Sequence, residues 1–250
     1  MQLPETCTEL VRRPDKTVYD LGDRIAKVFD EGKTAAEVFN EALNLARINE
    51  CGIASPQIRE VSQTEAGAWT LVTSKLPGVT LAQKMECSPA RFYEYLERFV
   101  DLQIAINTCQ CPPLAFQQER YSKKINGLAH LDDAQRFSLL ERLDSMSGAT
   151  CVCHGDFFPT NVIVQPAGSM GLCDWAHATQ GAPEADAAIT YLLFAQRDAY
   201  QAEYYLEMYC DHSGRHAADI RRWIPIVAAV TLTRAHTPAE RTFYQDLIDV

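Results

Sequence analysis

Long apolar runs and basic clusters are both absent from this sequence of 250 residues. No apolar run approaches the roughly 20 residues that a helix needs to span a bilayer. The first residues also lack the basic and apolar pattern of a secretion signal. Lysine and arginine total 23 against 33 acidic residues, for a net charge of −10. These absences argue against a membrane or nucleic-acid partner and predict a cytoplasmic location.

Low-complexity tracts and internal repeats are also missing. The 47% share of hydrophobic residues is enough to bury a full core, in one large domain or in two lobes that share an interface. Nine cysteines, an odd number, include two Cys-x-Cys pairs, Cys109 with Cys111 and Cys151 with Cys153. Structural zinc sites usually place two or more residues between paired ligands, so we predict unpaired thiols in a reducing compartment and no zinc.

One stretch concentrates residues suited to phosphate chemistry. His154-Gly155-Asp156 is followed by Asn161 and then by Asp174-Trp175. The apolar segments 149–153, 162–164 and 170–173 predict three short strands around a loop and a turn. The last two strands would form a hairpin that places Asn161 and Asp174 side by side. Phosphoryl transfer needs a carboxylate that orients a hydroxyl and oxygen ligands that hold magnesium, and these residues supply such oxygens.

The segments HGDFFPTNVIV (154–164) and GLCDW (171–175) resemble the aminoglycoside phosphotransferase and choline kinase family, a branch of the protein-kinase-like fold. The resemblance implies that Asp156 is the catalytic base and that Asn161 and Asp174 bind magnesium. It also implies two structural residues: His154 would brace the loop, and the buried Asp186 would hold the loop by hydrogen bonds to its backbone.

The N-terminal part of the sequence predicts the nucleotide side of a kinase. Residues 17–19 and 24–29 read as two strands joined by a turn, with Lys27 inside the second strand. A helix follows from the N-cap Thr34 to residue 50, and Gly52 ends it. In kinases such a lysine contacts the α- and β-phosphates, and a carboxylate in this helix pairs with it. Glu41 is the first candidate for that carboxylate, and Glu37 is the second.

A strand predicted at 69–73 leads into Ser74-Lys75-Leu76-Pro77-Gly78. This segment resembles the hinge between the lobes of these kinases, where the backbone at Ser74 and Leu76 would hydrogen-bond adenine. The predicted division is therefore an N-terminal nucleotide-binding lobe at 1–77 and a C-terminal catalytic and substrate-binding lobe at 78–250.

One feature departs from protein kinases. They cover the phosphates with a glycine-rich loop, whereas this chain has Arg12-Arg13-Pro14-Asp15-Lys16 between Leu10-Val11 and Thr17, with no glycine. The basic side chains of this segment either contact phosphate or are simply solvated, and the second reading is the more common one for an exposed turn.

The remaining sequence predicts mainly helices, starting at Ser88-Pro89 and at residues 132, 187, 201 and 220. Several carry aromatic and acidic residues that suit an ammonium substrate through cation–π contacts. Aromatic residues at helical spacing more often pack a core, however, so no acceptor residue is assigned.

These observations predict an α+β, two-lobed, protein-kinase-like fold, with a small N-terminal antiparallel sheet and one helix, and a larger, mainly helical C-terminal lobe. The predicted activity is transfer of the γ-phosphoryl group from ATP, with Mg²⁺, to a hydroxyl of an aminoglycoside, a choline-like amino alcohol or a sugar. A non-catalytic nucleotide-binding protein is the alternative. A protein Ser/Thr kinase is less consistent, because only twelve residues separate Asn161 from Asp174 and no long activation segment follows.

Overall fold

The computed structural model describes residues 7–146 and 148–248. The strands in this part of the chain are β1 (Thr8–Arg13), β2 (Lys16–Asp20), β3 (Arg24–Phe29), β4 (Ile58–Gln63), β5 (Trp69–Ser74), β6 (Val79–Thr80), β7 (Cys151–Cys153), β8 (Val162–Val164), β9 (Met170–Leu172) and β10 (Thr179–Gly181). The helices are α1 (Ala35–Glu50), α2 (Leu81–Cys87), α3 (Phe92–Asn107), α4 (Gln117–Asn126), α5 (Asp133–Asp144), α6 (Pro183–Ala195), α7 (Ala199–Ser213), α8 (Ala217–Arg222), α9 (Ile224–Leu232) and α10 (Pro238–Asp246).

The chain packs into two compact units. The first unit ends at Leu81 and also contains Asn161–His177, whereas the second comprises Ala82–Thr160 and the chain from Ala178 onward. The lobe boundary at residue 77 stays a prediction. By packing, the segment that holds β8 and β9 belongs with the N-terminal strands, because β8 pairs with β6.

The first unit is built on an antiparallel sheet of order β1-β2-β3-β5-β4. Helix α1 packs on this sheet, and its Val38 and Ala42 join Phe29 and Leu71 in a buried cluster. The predicted bounds of α1 are confirmed. Thr34 forms a capping box with Glu37, which satisfies N–H groups that the first helical turn leaves open.

A second, three-stranded sheet of order β6-β8-β9 completes the first unit. Gly78 precedes β6 with φ at 132°, and a Cβ there would lie 2.1 Å from the carbonyl oxygen of Val164. Only glycine allows the chain to approach β8 this closely.

The second unit is mainly helical, and its core lies among α3, α6, α7 and α9. Two predicted helix starts are wrong. Ser88 makes no side-chain cap, Pro89–Arg91 form a 3-10 turn, and α3 begins at Phe92. The helix predicted from residue 187 begins at Pro183, because proline suits the first turn of a helix, where its missing N–H needs no partner.

The helix predicted over 220–232 is two helices. Helix α8 ends before Trp223, and α9 begins at Ile224 with Pro225 in its first turn. Proline cannot donate the backbone hydrogen bond that would continue α8, so the chain starts a new helix. None of the helices in the described part of the chain is long and apolar enough to cross a membrane.

Candidate active site

A buried ion network lies in the first unit and contains residues that the sequence predicts to bind nucleotide. Lys27 extends from β3, and its Nζ lies 2.6 Å from Oε1 of Glu41 on α1 and 2.9 Å from Oδ1 of Asp174. The Glu41 side chain is 5% exposed. The lysine–glutamate pair expected from the sequence is thus present, and Asp174 shares the same ammonium group.

Lys16 is a further member of this network. Its Nζ lies 2.9 Å from Oδ2 of Asp174, so that each carboxylate oxygen of Asp174 accepts from a different lysine. Two ammonium groups face two carboxylates, which leaves the four side chains without net charge. Such balance is what allows charged groups to be buried, because an unpaired charge would be strongly destabilising there.

The lysines control the charge of Asp174. Burial by itself disfavours the carboxylate, but the ammonium groups of Lys27 and Lys16 outweigh this and hold the pKa of Asp174 well below its usual range. Burial likewise lowers the pKa of Lys27, and the charges of Asp174 and Glu41 reverse this and raise it. Asp174 and Lys27 are therefore both ionised at neutral pH.

The local backbone positions Asp174. It follows β9 with φ at 68°, the left-handed region that residues other than glycine seldom adopt. The N–H of Cys173 donates to the carbonyl oxygen of Asn161 at 2.9 Å, so the pairing of β8 with β9 continues to these residues. The hairpin predicted from the sequence is confirmed. A positive φ at an aspartate is strain of the kind found at functional sites.

The oxygens of Asp174 and Asn161 fit a magnesium site. Mg²⁺ binds proteins through one or two carboxylates and completes its shell with water and phosphate oxygens. No cluster of three or more His, Cys, Asp or Glu side chains suited to a metal occurs in the residues described, so a cage made only of protein ligands is not found there. The two ammonium groups on Asp174 show that this carboxylate already attracts cations.

Glu41 and Glu37 provide a matched pair for testing the network. Glu41→Gln removes the negative charge that holds Lys27, so we expect the kcat/KM for nucleotide to fall roughly 10-fold or more, as for loss of a charge-assisted hydrogen bond. Steady-state kinetics at varied nucleotide concentration measures this.

Glu37→Gln is the control for that substitution. Glu37 is half exposed and accepts hydrogen bonds from the N–H and the hydroxyl of Thr34, and the amide oxygen of a glutamine can accept both of them. Its kinetics should match the wild type. Equal effects of the two substitutions would show that Glu41 has no special role.

The predicted hinge follows β5. Ser74 N–H donates to the carbonyl oxygen of Gln57, and Ser74 Oγ accepts from Gln57 N–H, both at 2.8 Å. The N–H of Ser74 is therefore already used within the first unit. In the part of the chain that the structure describes, no hydrogen bond involves the backbone N–H of Leu76. Of the two predicted hinge residues, we therefore keep Leu76 as the candidate for a hydrogen bond to adenine.

The His154-Gly155-Asp156 loop belongs to the second unit. His154 is fully buried, and its Nδ1 accepts from the N–H of Asp156 at 3.2 Å. A ring nitrogen that accepts cannot carry a proton, so Nδ1 is unprotonated. His154 thus contacts the backbone of the loop at Asp156, as expected for a bracing residue. Gly155 has φ at 74°, which a glycine adopts without strain.

Asp186 holds the same loop from α6. Its side chain is buried, with Oδ1 accepting from Gly155 N–H at 2.7 Å and Oδ2 accepting from Nδ2 of Asn107 at 3.1 Å. On the far side, Tyr209 donates to Oδ1 of Asn107, which turns the amide so that its NH₂ group faces Asp186. Tyr209 therefore supports the loop from within the core, through Asn107 and Asp186.

Asp186→Asn should destabilise the protein by roughly 2–4 kcal/mol, because an amide placed among donors leaves some of them unsatisfied in a buried setting. Urea unfolding at neutral pH measures the change. The exposed Asp211→Asn on α7 serves as the control and should alter stability by less than about 0.5 kcal/mol. Equal stability of Asp186→Asn and the wild type would remove Asp186 from this supporting role.

Arg234 is a neighbour of Asp156 that the sequence did not indicate. It lies just beyond α9, donates from Nη2 to the carbonyl oxygen of Gly155 at 2.8 Å, and places Nη1 3.5 Å from Oδ1 of Asp156. The positive charge of Arg234 partly neutralises the negative charge of Asp156, and its hydrogen bond to Gly155 holds the loop backbone. No sequence signal marks this residue, since it follows Asp156 by 78 positions and belongs to no recognised pattern.

Comparison with known proteins identifies the family of this chain. The model of the phosphotransferase enzyme family matches residues 15–221. The sequence has no significant match among curated proteins.

Solved structures share the fold at low sequence identity. A thermostable variant of aminoglycoside phosphotransferase APH(4)-Ia, in complex with AMP-PNP and hygromycin B, matches with a TM-score of 0.71 and 12% identity over 98% of this chain and 92% of that one. Choline kinase LicA from Streptococcus pneumoniae matches with a TM-score of 0.63 and 16% identity, over 98% and 92%. The GDP complex of aminoglycoside 2'-phosphotransferase-IIIa gives a TM-score of 0.62 and 14% identity, over 98% and 91%.

The family match covers most of the chain, and the structural matches cover nearly all of it. The N-terminal antiparallel sheet followed by a helical region is the α+β architecture that the sequence predicted. This chain therefore belongs to the phosphotransferase enzyme family and has the protein-kinase-like fold of the aminoglycoside phosphotransferases and choline kinases.

Proposed function

We propose that this protein transfers the γ-phosphoryl group of ATP, with Mg²⁺, to a hydroxyl group of a small molecule. The observation that carries this proposal is the buried network of Lys27, Glu41 and Asp174. Two acids that together hold a strand lysine in a fixed place have no evident use in a purely structural protein, because apolar side chains of similar size would be at least as stabilising.

The first unit would bind the nucleotide. Lys27, held by Glu41, would donate to phosphate oxygens, and the backbone at Leu76 would hydrogen-bond adenine. Asp174 and Asn161 would hold magnesium, which when bound neutralises charge on the phosphates and orients them. The low pKa of Asp174 supports this role, because a metal ligand must be ionised.

Asp156 would act on the acceptor. A carboxylate within reach of a hydroxyl orients it and accepts its proton as the new oxygen–phosphorus bond forms and the bond from the γ-phosphorus to ADP breaks. His154 and Asp186 fix the loop backbone on which Asp156 stands, and Arg234 contacts both the carboxylate and the loop. These contacts hold the base in one orientation before any substrate binds, which reduces the cost of ordering it during the reaction.

The acceptor belongs, in this proposal, among aminoglycosides, choline-like amino alcohols and sugars. Solved relatives of the fold include a complex with hygromycin B and a choline kinase. One relative is a GDP complex, so GTP is a reasonable second donor to test. A cytoplasmic location remains our prediction, and it is consistent with the nine cysteines, which form no disulfide in the described part of the chain.

Nucleotide consumption by the purified protein tests the proposal and identifies the acceptor. ATP and GTP are each supplied with Mg²⁺ and a panel of aminoglycosides, choline, ethanolamine, other amino alcohols and sugars. Acceptor-dependent consumption that stops when EDTA is added would support the proposal. Nucleotide binding without consumption for any acceptor would favour a binding protein that does not catalyse transfer.

A further inference from the structure

The connection between β1 and β2 offers little backbone for binding phosphate. Arg13 pairs with Lys16 across a two-residue turn made of Pro14 and Asp15. Proline has no N–H, and the absence of glycine limits the conformations in which successive amides could point at an anion. If this turn takes part in nucleotide binding, a side chain must supply the contact.

The three basic side chains of this connection differ sharply in exposure. Arg12 is paired with Glu9 on the surface, with 65% of its side chain exposed, and Arg13 is exposed as well. The Lys16 side chain is only 12% exposed and reaches Asp174. The expectation that basic residues of an exposed turn are solvated is correct for the two arginines and wrong for Lys16.

Sheet geometry places Lys16 and Lys27 on one face. Lys27 lies directly opposite Val18 in the pairing of β2 with β3, and Lys16 is two residues before Val18 on the same strand. Residues two apart on a strand share a face, and so do residues directly opposite each other. The two lysines therefore extend to the same side, and each contacts a different oxygen of Asp174 at 2.9 Å.

Lys16 and Lys27 differ in the acidic partners that they keep when Asp174 binds a metal. Lys27 keeps Glu41 as a partner. Among the described residues, Asp174 is the only acid that pairs with Lys16. A largely buried ammonium group that loses its acid would be strongly destabilising unless another anion replaced it.

From this difference we propose that Lys16 is a second phosphate-binding lysine. Its ammonium group would move from Asp174 to the nucleotide phosphates when magnesium binds Asp174. The inference rests on the proposed function, because it assumes that a magnesium nucleotide binds to this unit. Lys16 would then replace, with a charged side chain, the backbone contacts that a glycine-rich loop makes in protein kinases. A simpler alternative is that Lys16 only neutralises Asp174 in the free protein.

Nucleotide binding by the variant Lys16→Met separates these roles. Isothermal titration calorimetry with MgATP should show binding weakened roughly 10- to 100-fold, the range for losing a hydrogen bond to a charged group, whereas adenosine should bind as it does to the wild type. Arg13→Met, in the same turn but exposed, is the matched control and should bind MgATP with wild-type affinity.

If Lys16 only neutralises Asp174, the opposite effect on MgATP affinity is expected. Without Lys16, Asp174 would be freer to bind metal, so MgATP affinity would stay equal or rise, and that result would overturn the proposal. If wild-type protein itself does not bind MgATP, it is the proposed function that fails, which keeps the two failures distinct.

Lysine acylation of the wild-type protein tests Lys16 without any substitution. The extent of modification at Lys16 is measured by mass spectrometry against the exposed Lys123 of the second unit. Mg²⁺ alone should increase modification of Lys16 by releasing it from Asp174, and MgATP should suppress it again. Modification that is unchanged by MgATP relative to Mg²⁺ alone would contradict phosphate binding by Lys16, even if the methionine variant fails to fold.

Discussion

Asp156→Asn is expected to lower kcat by about 10²- to 10⁴-fold, the range for removing a general base. Asparagine keeps the size of the side chain and leaves the N–H of residue 156 free to donate to His154, so the loop should stay in place. Affinity for MgATP should change little, because the residues proposed to bind the nucleotide and the metal are others, namely Lys27, Leu76, Asn161 and Asp174. Single-turnover kinetics and calorimetry measure the two quantities separately.

The control for this substitution is Asp144→Asn, an exposed aspartate at the end of α5. Its kcat should equal that of the wild type. Full activity of Asp156→Asn would reject Asp156 as the base. A large loss of MgATP affinity with normal kcat would instead place Asp156 among the nucleotide ligands.

Asp174→Asn is expected to remove the dependence of nucleotide binding on magnesium and to abolish turnover. A neutral amide is a much weaker ligand for a hard divalent cation than a carboxylate. In calorimetry, ATP affinity of the variant should be the same with Mg²⁺ and with EDTA, whereas the wild type should bind far more tightly with Mg²⁺. A variant that kept the magnesium dependence would show that the metal is held elsewhere.

The same substitution should change stability in a pH-dependent way. It leaves Lys16 largely buried without its acid, so we expect a loss of about 3 kcal/mol in the free energy of unfolding at pH 7, as for a broken buried ion pair.

Because the folded pKa of Asp174 is depressed, its contribution is fully present above the unfolded value of about 3.9 and is lost as the pH falls from there through the folded pKa. Urea unfolding at pH 7, 5 and 3.5 should show a gap between variant and wild type that is constant at the upper two values and narrows at the lowest. A gap that stayed constant down to pH 3.5 would contradict the depressed pKa.

Local sequence signals were sufficient for much of the first unit. The capping box at Thr34 and the apolar spacing of the following residues determine α1, and the short apolar segments around Asp174 determine the hairpin of β8 and β9. Lys27 and Glu41 were identifiable because each lies in a well-defined element and their order along the chain resembles that of a kinase.

Interactions between distant residues were the part that the sequence did not show. Lys16 looked like an exposed turn residue, because its partner Asp174 lies 158 positions away. Arg234 was missed for the same reason. Helix α4 was missed because its sequence, QQERYSKKIN, is strongly polar, and it is stabilised by burying Tyr121 and Ile125 against the rest of the second unit. Packing of this kind overrides a weak local preference.

Phosphorus NMR on the products of ATP turnover tests the central claim most directly. With Mg²⁺ and an active acceptor, the γ-phosphate should appear as a phosphate monoester of that acceptor, at a rate that Asp156→Asn reduces at least a hundredfold. Release of inorganic phosphate alone, or a monoester that forms equally fast with the asparagine variant, would contradict a phosphotransferase that uses Asp156 as its base.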